Sequence, residues 1–417
     1  MRIRLTDRDR ALLGGADGEA AALAMRIVIE MAEVMGAERL IDITGAHIDG
    51  CLYHGRAGLD FAERLVAGGA RVRVPTSLNV GAVDLLHPEH ARVDRAAADA
   101  GRRQMDAYVA MGCRPTWTCA PYQLADRPAF GEQVAWGESN AIVFCNSVLG
   151  ARTARYGDFL DACAAITGRV PFAGLHRDEE RRASLIVRLD ELPERLRGSD
   201  VLYPVLGTVL GEIAGTSVAA IEGLPATTTE DQLKALGAAA ASSGAVAMFH
   251  AVGITPEAPT LDAATGGGSV PNVTIGLAEL RRARDELGSP AGDRLGAVWF
   301  GTPHASRSEL ERLATALDGT APVVPVWVNT GRDVAASAED AVVSLQGSGV
   351  HVVTDTCAYL APLDGASVGV VMTDSAKAAW YAPANTGVGV VFGSFEECVR
   401  SALAGHVVRE AGLWGDG

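Results

Sequence analysis

Short apolar segments of strand type alternate with amphipathic helical segments along most of the chain, and this alternation restricts the folds that the chain can adopt. The predicted strands cover residues 40–43, 70–75, 183–189, 245–253, 296–300, 323–328, 350–354, 368–372 and 388–392. Segments with helical periodicity lie between many of these strands, at 17–35, 57–67, 88–111, 229–242 and 394–404. Residues 201–212 are predicted to form a strand, a glycine turn and a helix. Strands joined through helices pair in parallel. The sequence therefore predicts an α/β fold built from parallel βαβ units.

The length of the chain predicts more than one lobe. It has 417 residues, of which 48% are hydrophobic, and a single hydrophobic core rarely serves a chain of this size. The charged stretch HRDEERR at 176–182 interrupts the pattern. We therefore predict a first α/β lobe over 1–175 and further α/β lobes over 176–417.

The charge balance excludes some classes of partner. The formal net charge is −15, whereas binding to nucleic acid or to an anionic membrane requires a basic surface. No apolar run reaches the roughly 18 residues of a transmembrane helix, and the segment MRIRLTDRDRALLGG lacks the apolar core of a signal peptide. We expect a cytoplasmic protein with no nucleic-acid partner and no membrane partner.

Polar residues follow many of the predicted strands. The loop after strand 40–43 carries His47, Asp49 and Cys51, and six strands lead into polar clusters at His47, Thr76, Thr255, Pro303, Asp355 and Thr373. Ligands of α/β proteins bind beyond the carboxyl ends of strands. The pattern predicts parallel βαβ units arranged around a central site.

Residues 113–153 concentrate reactive side chains, among them Cys119, Glu138, Ser139 and Cys145, within an apolar setting. Such groups cost free energy to bury without partners. The stretch is either a core element whose polar groups face a ligand, or a buried strand and helix whose polar groups are satisfied by the backbone.

The cysteines favour a metal cofactor held by residues far apart in the sequence. The seven cysteines form no Cys-x-x-Cys pair, and neither His-Glu-x-x-His nor the dinucleotide glycine fingerprint occurs. Cys119 and Cys357 follow predicted structural elements, and iron–sulfur clusters are held by such thiolates. A cluster with three protein thiolates leaves one iron open as a Lewis acid, which dehydration requires because hydroxide is a poor leaving group.

Motifs across nearly the whole chain resemble the large, catalytic component of the aconitase X family. The matching stretches are LIDITGAHIDG (40–50), RVPTSLN (73–79), TCAPY (118–122), GEQVAWGESNAIVFCNSVLGART (131–153), LKALGAAAASSGAVAMFHAVGITPEAP (233–259), GTPHASRSEL (301–310), TDTCAYLAP (354–362) and MTDSAKAAWY (372–381). The resemblance implies a multi-lobed aconitase-like fold and an iron–sulfur-dependent hydro-lyase, with a two-iron and a four-iron cluster both left open.

The resemblance also implies substrates and a partner. Bacterial members of the family dehydrate cis-3-hydroxy-L-proline, and archaeal members dehydrate mevalonate 5-phosphate. A small swivelling domain, fused or separate, carries a serine that acts as the base. We expect a separate small subunit here and favour the hydroxyproline, a small hydroxy acid, because the matched motifs offer only Arg152 and Arg307 for a phosphate. The alternatives are a mevalonate 5-phosphate dehydratase large subunit and a non-catalytic binding paralogue.

One position departs from the family pattern. Family members with a four-iron cluster have Cys in a Gly-Cys-Pro-His motif, where this chain has Thr302. Cys145 and Cys51 are the available substitutes, and we place Cys145 first. The predicted metal ligands are therefore Cys119, Cys145 and Cys357, while Cys113, Cys163 and Cys398 fill space.

The matched motifs also supply candidate catalytic and binding residues. The predicted catalytic residues are His47, Glu138, Ser139, Lys234 and Lys377. The predicted substrate-binding residues are Thr76, Ser77, Asn79, Asn146, Arg152, Thr255 and Ser375. Arg152 and the two lysines would pair with the substrate carboxylate. The structural alternatives are a buried Glu138–Arg152 ion pair and lysines that are solvated.

Overall fold

Parallel strand pairing dominates the computed structural model of the chain, which describes residues 3–90, 94–189, 192–288, 294–360 and 369–415. By the density of contacts the chain divides into two units: Met1–Val83 with Asp94–Arg182, and Asp84–Val93 with Ala183–Gly417. Helices and parallel sheets occur in both units, so the predicted α/β fold class is confirmed.

The first unit combines helices with a parallel sheet and an antiparallel strand pair. Its helices are α1 (Asp7–Leu13), α2 (Glu19–Val34), α3 (Arg56–Ala67), α4 (Arg95–Ala110), α5 (Ser139–Phe144) and α6 (Leu160–Thr167). Its strands are β1 (Leu40–Asp42), β2 (Gly45–Ile48), β3 (Thr76–Leu78), β4 (Val134–Trp136) and β5 (Arg169–Pro171). A π-helix, Cys145–Leu149, continues α5, and 3-10 helices cover Pro121–Gln123, Gly174–His176 and Asp178–Arg181.

Local sequence signals explain the first helix of this unit. Thr6 Oγ1 accepts a hydrogen bond from the backbone N–H of Asp9 at 3.2 Å, and the Asp9 carboxylate accepts from the Thr6 N–H at 2.8 Å. This reciprocal pair is a capping box, which begins α1.

The parallel sheet of the first unit has the strand order β3-β2-β4, with β2 in the centre. Its register places His47 opposite both Ser77 and Trp136. β2 is buried from Ala46 to Ile48. His47 was predicted to lie in the loop after strand 40–43, but it lies in a second strand, in the middle of a buried sheet.

The second unit begins with a four-stranded parallel sheet of order β8-β7-β6-β9. Its elements are β6 (Leu185–Leu189), α7 (Glu194–Arg197), α8 (Leu202–Ala214), β7 (Ala219–Glu222), α9 (Glu230–Ser243), β8 (Phe249–Ala251), α10 (Leu261–Thr265), β9 (Asn272–Ile275) and α11 (Leu277–Glu286).

A five-stranded parallel sheet of order β12-β11-β10-β13-β14 completes the second unit. Its elements are β10 (Leu295–Ala305), α12 (Arg307–Leu317), β11 (Val326–Thr330), α13 (Arg332–Ser337), α14 (Glu339–Gly347), β12 (His351–Val353), β13 (Val370–Thr373), α15 (Ala376–Thr386), β14 (Gly389–Phe392) and α16 (Phe395–Ala404), and a 3-10 helix at Pro88–His90 also belongs to this unit. The sheet packs into an apolar core that includes Val298, Leu310, Leu345, Met372 and Cys398. The strand order changes direction at β10, between β11 and β13, and such a switch point is where open α/β sheets bind ligands.

Two predicted strands are wrong. Residues 70–75 form no strand, and β3 begins at Thr76, in the polar cluster that was predicted to follow the strand. The N–H groups of Val72 and Arg73 donate to the carbonyls of Met111 and Ala165, which are not strand residues. Residues 201–212 were predicted to begin as a strand, yet α8 spans nearly all of them.

The glycines explain the second error. A Cβ at Gly207 would lie 2.2 Å from the carbonyl oxygen of Leu236, and a Cβ at Gly211 would lie 2.0 Å from Ser243 Oγ. Leu236 and Ser243 belong to α9. The two glycines therefore mark a close helix–helix contact and not a turn.

Three sequence predictions extend outside the described residues: 91–93 of the helix at 88–111, residue 368 of the strand at 368–372, and 361–362 of the motif TDTCAYLAP. Within the described part of the first range, the α-helix begins at Arg95. Among the described helices, none combines the length and the apolar character that crossing a bilayer requires.

Candidate active site

The first unit holds His47 in a neutral, buried state. His47 is fully buried, and its Nδ1 lies 2.8 Å from Ser77 Oγ. Burial lowers the pKa of His47 to about 3, so the imidazole is neutral near pH 7. Its Nε2 is buried and has no hydrogen-bond partner within the described residues. A buried polar atom of this kind is costly to leave unsatisfied, which favours a ligand at this nitrogen.

Glu138 is held in an unusual backbone conformation just after β4. Its φ is +55°, a value that non-glycine residues rarely adopt. Its carboxylate caps α5 by accepting the N–H of Ala141 at 2.8 Å, and it also accepts from the Asn140 side chain and from Ser139 Oγ at 3.4 Å. Backbone strain of this kind clusters at functional sites.

Asn140 connects this carboxylate to Cys119. The Asn140 Nδ2 donates to the backbone carbonyl of Cys119 at 3.0 Å, and Tyr122 donates its hydroxyl to Asn140 Oδ1 at 2.7 Å. The position of the Cys119 backbone is thus tied to Glu138 through one buried amide.

A cluster of carboxyl groups surrounds the loop after β2. Burial, followed by the charges of Glu138 and Asp158, raises the pKa of Asp49 to about 8. The backbone N–H of Asp49 donates to Asp161 Oδ2 at 2.7 Å, and burial raises the pKa of Asp161 to about 7. Asp49 also accepts a hydrogen bond from the side chain of Asn79. This cluster can hold protons near neutral pH.

Gly137 makes this cluster possible. A Cβ at this position would lie 2.7 Å from Asp161 Oδ2 and 2.9 Å from Asp49 Cβ. Only glycine fits between them. Asp49 is absent from the predicted catalytic and binding residues, although its position two residues after His47 was the available signal.

The cysteines of the first unit differ in their surroundings. Cys119 is buried next to Ala120, whereas Cys145 packs in an apolar cluster with Phe144 and Trp136, where burial raises its pKa. The Cys51 thiol donates to the carbonyl of Asn79 at 3.1 Å, and burial raises its pKa as well. Thiols whose pKa is raised by apolar burial are poor metal ligands.

In the second unit, candidate ligands lie at the carboxyl ends of β10 and β12. His304 is fully buried and one of its ring nitrogens lies within 4.8 Å of Cys357 Sγ. Its Nε2 is 3.2 Å from the carbonyl oxygen of Thr356, and burial lowers its pKa to about 4. Asn329 Oδ1 accepts the N–H of Ala358 at 2.9 Å, which fixes the backbone directly after Cys357. A thiol and a neutral imidazole fit the donor chemistry of an iron site.

Hydrogen bonds of three charged residues hold the loop that leads to Cys357 in place. Asp355 has a φ of +63° and is buried, and Arg332 donates to both of its carboxylate oxygens at 2.6 Å. Asp84 accepts the N–H of Thr354 at 3.0 Å. The loop is therefore fixed on both sides of the strained residue.

Lys234 and Lys377 border a cavity of about 350 Å³ in the second unit. Both lysines are buried, which contradicts the interpretation that they are solvated. Lys234 Nζ lies 2.9 Å from Asp231 Oδ1 and also contacts the Glu309 carboxylate. Burial lowers the pKa of Lys234, but the charges of Glu309 and Asp231 outweigh burial and raise it. The positive charge of Lys234 is thus already compensated.

The remaining predicted binding residues divide into two groups. Thr76, Ser77 and Asn79 lie in or directly after β3. The other four bond to neighbouring protein groups. Asn146 bonds to the backbone of Thr153, and Arg152 pairs with the Asp178 carboxylate. Thr255 bonds to the backbone of Ala251, and Ser375 bonds to the backbone of Thr302 and Ala378. Asp178, and not Glu138, is the ion-pair partner observed for Arg152.

A second group of possible metal ligands lies on the 3-10 helix Pro88–His90 and on the residue directly before it. Ligand atoms of His87, Glu89 and His90 lie within 4.8 Å of one another, and these side chains are half-buried or exposed. Exposed clusters of this kind are common without a metal.

Family models match the chain in three consecutive segments: the aconitase X first domain over residues 2–179, the second domain over 183–285 and the third domain over 295–404. The chain belongs to the aconitase X family. The family predicted from the motifs is thereby confirmed.

Named relatives of this aconitase X chain are dehydratases. A cis-3-hydroxy-L-proline dehydratase of Pseudomonas aeruginosa is 46% identical over 99% of the chain and 72% of the relative. A protein of the same name in Hypocrea jecorina is 43% identical over 97% of the chain and 70% of the relative. The phosphomevalonate dehydratase large subunit of Methanothermobacter thermautotrophicus is 37% identical over 96% of the chain and 98% of the relative. The prediction of a hydro-lyase is confirmed.

A crystal structure supports the fold of this aconitase X chain. The holo-form of Thermococcus kodakaraensis aconitase X matches with a TM-score of 0.86 and 30% identity, over 96% of this chain and 100% of that one. The predicted aconitase-like architecture is therefore confirmed.

Proposed function

We propose that the chain is the large subunit of a dehydratase that converts cis-3-hydroxy-L-proline to pyrroline-2-carboxylate. The observation that carries this proposal is the difference in identity. The chain is 46% and 43% identical to the two cis-3-hydroxy-L-proline dehydratases, and 31–37% identical to five phosphomevalonate dehydratase large subunits.

The proposed reaction eliminates water from a cyclic amino acid. The C3–O bond breaks, the α-proton beside the carboxylate is removed, and the resulting enamine acid tautomerises to pyrroline-2-carboxylate. The departing oxygen must gain a proton to leave as water. The site therefore needs a base for the α-proton, a group that assists the leaving hydroxyl, and a cation for the carboxylate.

An iron–sulfur cluster is proposed as the cofactor, with Cys119 and Cys357 as ligands. When bound, such a cluster supplies a Lewis acid for the leaving hydroxyl. Cys357 fits this role through its buried loop and the nearby ring of His304. For the third position we predicted Cys145, but its apolar surroundings do not favour a ligand role.

His47, Asp49 and Glu138 are proposed to position the substrate and to handle protons. The His47 Nε2 is available to a polar group of the ligand because Nδ1 already bonds Ser77. Asp49 carries a proton near neutral pH, and Glu138 influences its charge. Ser139 supports the Glu138 carboxylate by donating to it.

Lys377 is proposed as the cation that pairs with the substrate carboxylate. It is buried at the edge of the cavity beside Ser375. Lys234 borders the same cavity, but two carboxylates already share its charge. We therefore assign Lys234 to holding α9 against α12 through Glu309 and not to direct binding of substrate.

A small subunit is the proposed partner. The archaeal relatives are named large subunits, and the chain matches 98% of the Methanothermobacter protein. In our proposal that subunit contributes the swivelling domain and the serine base, and the complex acts in the cytoplasm.

The test is a coupled assay of the anaerobically prepared two-subunit complex against both compounds. We expect product from cis-3-hydroxy-L-proline and none from mevalonate 5-phosphate. Dehydration of the phosphate compound alone would reverse the substrate assignment. If neither compound is dehydrated although the complex contains iron, the chain is better explained as a binding paralogue.

A further inference from the structure

Thr302, the residue that departs from the family pattern, has a structural role in the protein. Thr302 Oγ1 accepts a hydrogen bond from Asn329 Nδ2 at 3.4 Å, and the same amide donates to the carbonyl of Phe300 at 3.0 Å. A threonine hydroxyl is not a ligand of iron–sulfur clusters, which use thiolate or imidazole. The third protein ligand therefore comes from another residue.

Neither cysteine substitute is arranged as a ligand. Cys145 is enclosed by apolar side chains, and the Cys51 thiol donates to a backbone carbonyl. Within the described residues, neither thiol belongs to a group of three His, Cys, Asp or Glu ligand atoms within 4.8 Å of one another.

His304 has the arrangement that these cysteines lack. It follows Thr302 by two residues at the end of β10, is fully buried, and places a ring nitrogen within 4.8 Å of Cys357 Sγ. Metal–nitrogen and metal–sulfur bonds of about 2.0–2.3 Å bring two ligand atoms roughly 3.5 Å apart in a tetrahedral site. The His304 ring and Cys357 Sγ are therefore close enough to bind the same metal centre.

The hydrogen bond of the His304 ring fixes its tautomer. A carbonyl oxygen can only accept, so the contact of 3.2 Å from Nε2 to Thr356 O assigns the ring proton to Nε2. The lone pair is then on Nδ1. Histidine ligands of metals almost always donate their second nitrogen to a carbonyl or carboxylate in this way. Here the carbonyl belongs to the residue directly before Cys357, so one loop positions both donors.

We infer that His304 is the third protein ligand of the cluster, through Nδ1, in place of the thiolate that is missing at Thr302. The inference rests on the proposed iron–sulfur cofactor. A neutral imidazole in place of a thiolate makes the cluster less negative, and histidine ligation raises the reduction potential of two-iron clusters.

The first measurement is made on the wild-type complex, prepared anaerobically and reduced. Pulsed electron paramagnetic resonance should detect a strongly coupled ¹⁴N nucleus at the cluster. His304→Gln should lose that coupling and most of its iron. His351→Gln is the matched control, because His351 is a half-buried histidine of the same unit that stacks on Trp327, and it should retain both.

Thr302→Cys combined with His304→Ala provides a second variant, which restores the thiolate of the family pattern. We expect it to bind iron without nitrogen coupling and to have a more negative reduction potential than the wild type. Because this variant adds a ligand, it remains informative if His304→Gln fails to fold.

Three results would overturn the inference. A cluster without nitrogen coupling in the wild type would refute it and leave the proposed cofactor intact. Loss of iron in Cys145→Ala with full retention in His304→Gln would assign the position to Cys145. An active protein that contains no iron would overturn both this inference and the proposed cofactor.

Discussion

Asp49 shows how the fold can control the protonation of one residue. Its carboxyl group is half-buried among Glu138, Asp158 and Asp161, and its pKa is raised from 3.8 to about 8. Between these values the folded state binds more protons than the unfolded state. Asp49 therefore increases the free energy of unfolding at low pH. This contribution is lost as the pH rises towards 8.

Asp49→Asn should remove that part of the pH dependence. We expect the free energy of unfolding of the variant to fall less between pH 5 and pH 8.5 than that of the wild type, by urea titration at each pH. Asp106→Asn is the control, because Asp106 is exposed on α4. Parallel curves for the wild type and Asp49→Asn would show that Asp49 is ionised in the folded state.

At the scale of residues, the sequence predicted which side chains are of interest better than it predicted which residues surround them in space. His47 and Glu138 were selected from motifs, and both are buried in the first unit. The burial of Lys234 between two carboxylates was not predictable, because Asp231 is local but Glu309 is 75 residues away. Contacts of that separation depend on the packing of α9 against α12, which the periodicity of either helix does not encode.

At the scale of elements, α8 and α9 pack through glycines. The missing side chains of Gly207 and Gly211 allow the α8 backbone to approach Leu236 and Ser243 closely. The apolar residues of α8 are buried on all sides, so its hydrophobic pattern has no helical period. This is why the segment was predicted to begin as a strand: a short apolar run does not distinguish a buried strand from a buried helix.

Gly207→Ala should destabilise the protein by about 1–3 kcal/mol, because the added methyl group overlaps the Leu236 carbonyl. Gly347→Ala is the matched control, since Gly347 is also helical and nothing lies within 4 Å of its Cβ position. The control should be neutral or stabilising by up to about 1 kcal/mol. Chemical denaturation of both variants gives the comparison, and equal effects would contradict the proposed close contact.

At the scale of the whole molecule, the family, the fold class and the hydro-lyase chemistry could be predicted from motifs that cover nearly the entire chain. The pairing of His304 with Cys357 could not. These residues belong to different motifs, and their proximity follows from β10 and β12 flanking β11 in one sheet. The division into 1–175 and 176–417 and the separate small subunit stay predictions.

The partner can be tested by assembly. Coexpressed with a small aconitase X subunit, the chain should elute as a stable complex in gel filtration. Activity of the large chain alone should be lower by about 10²–10⁴-fold, the usual contribution of a general base. Glu138→Gln should still form the complex while losing activity. Full activity of the isolated chain would remove the need for a partner.

The contact between Asp84 and Thr354 also has a consequence for synthesis of the chain. The two residues are 270 positions apart, yet one hydrogen bond joins them and the N–H of Leu85 bonds to Asp355. The segment that contains Asp84 must therefore wait on the ribosome until the segment that contains Thr354 has been made. Closing so long a loop is entropically costly and slow. The loop that carries Cys357 can reach its final form only after the 270 positions between Asp84 and Thr354 have been synthesised, so that end of the sheet assembles later than contacts between residues close in sequence.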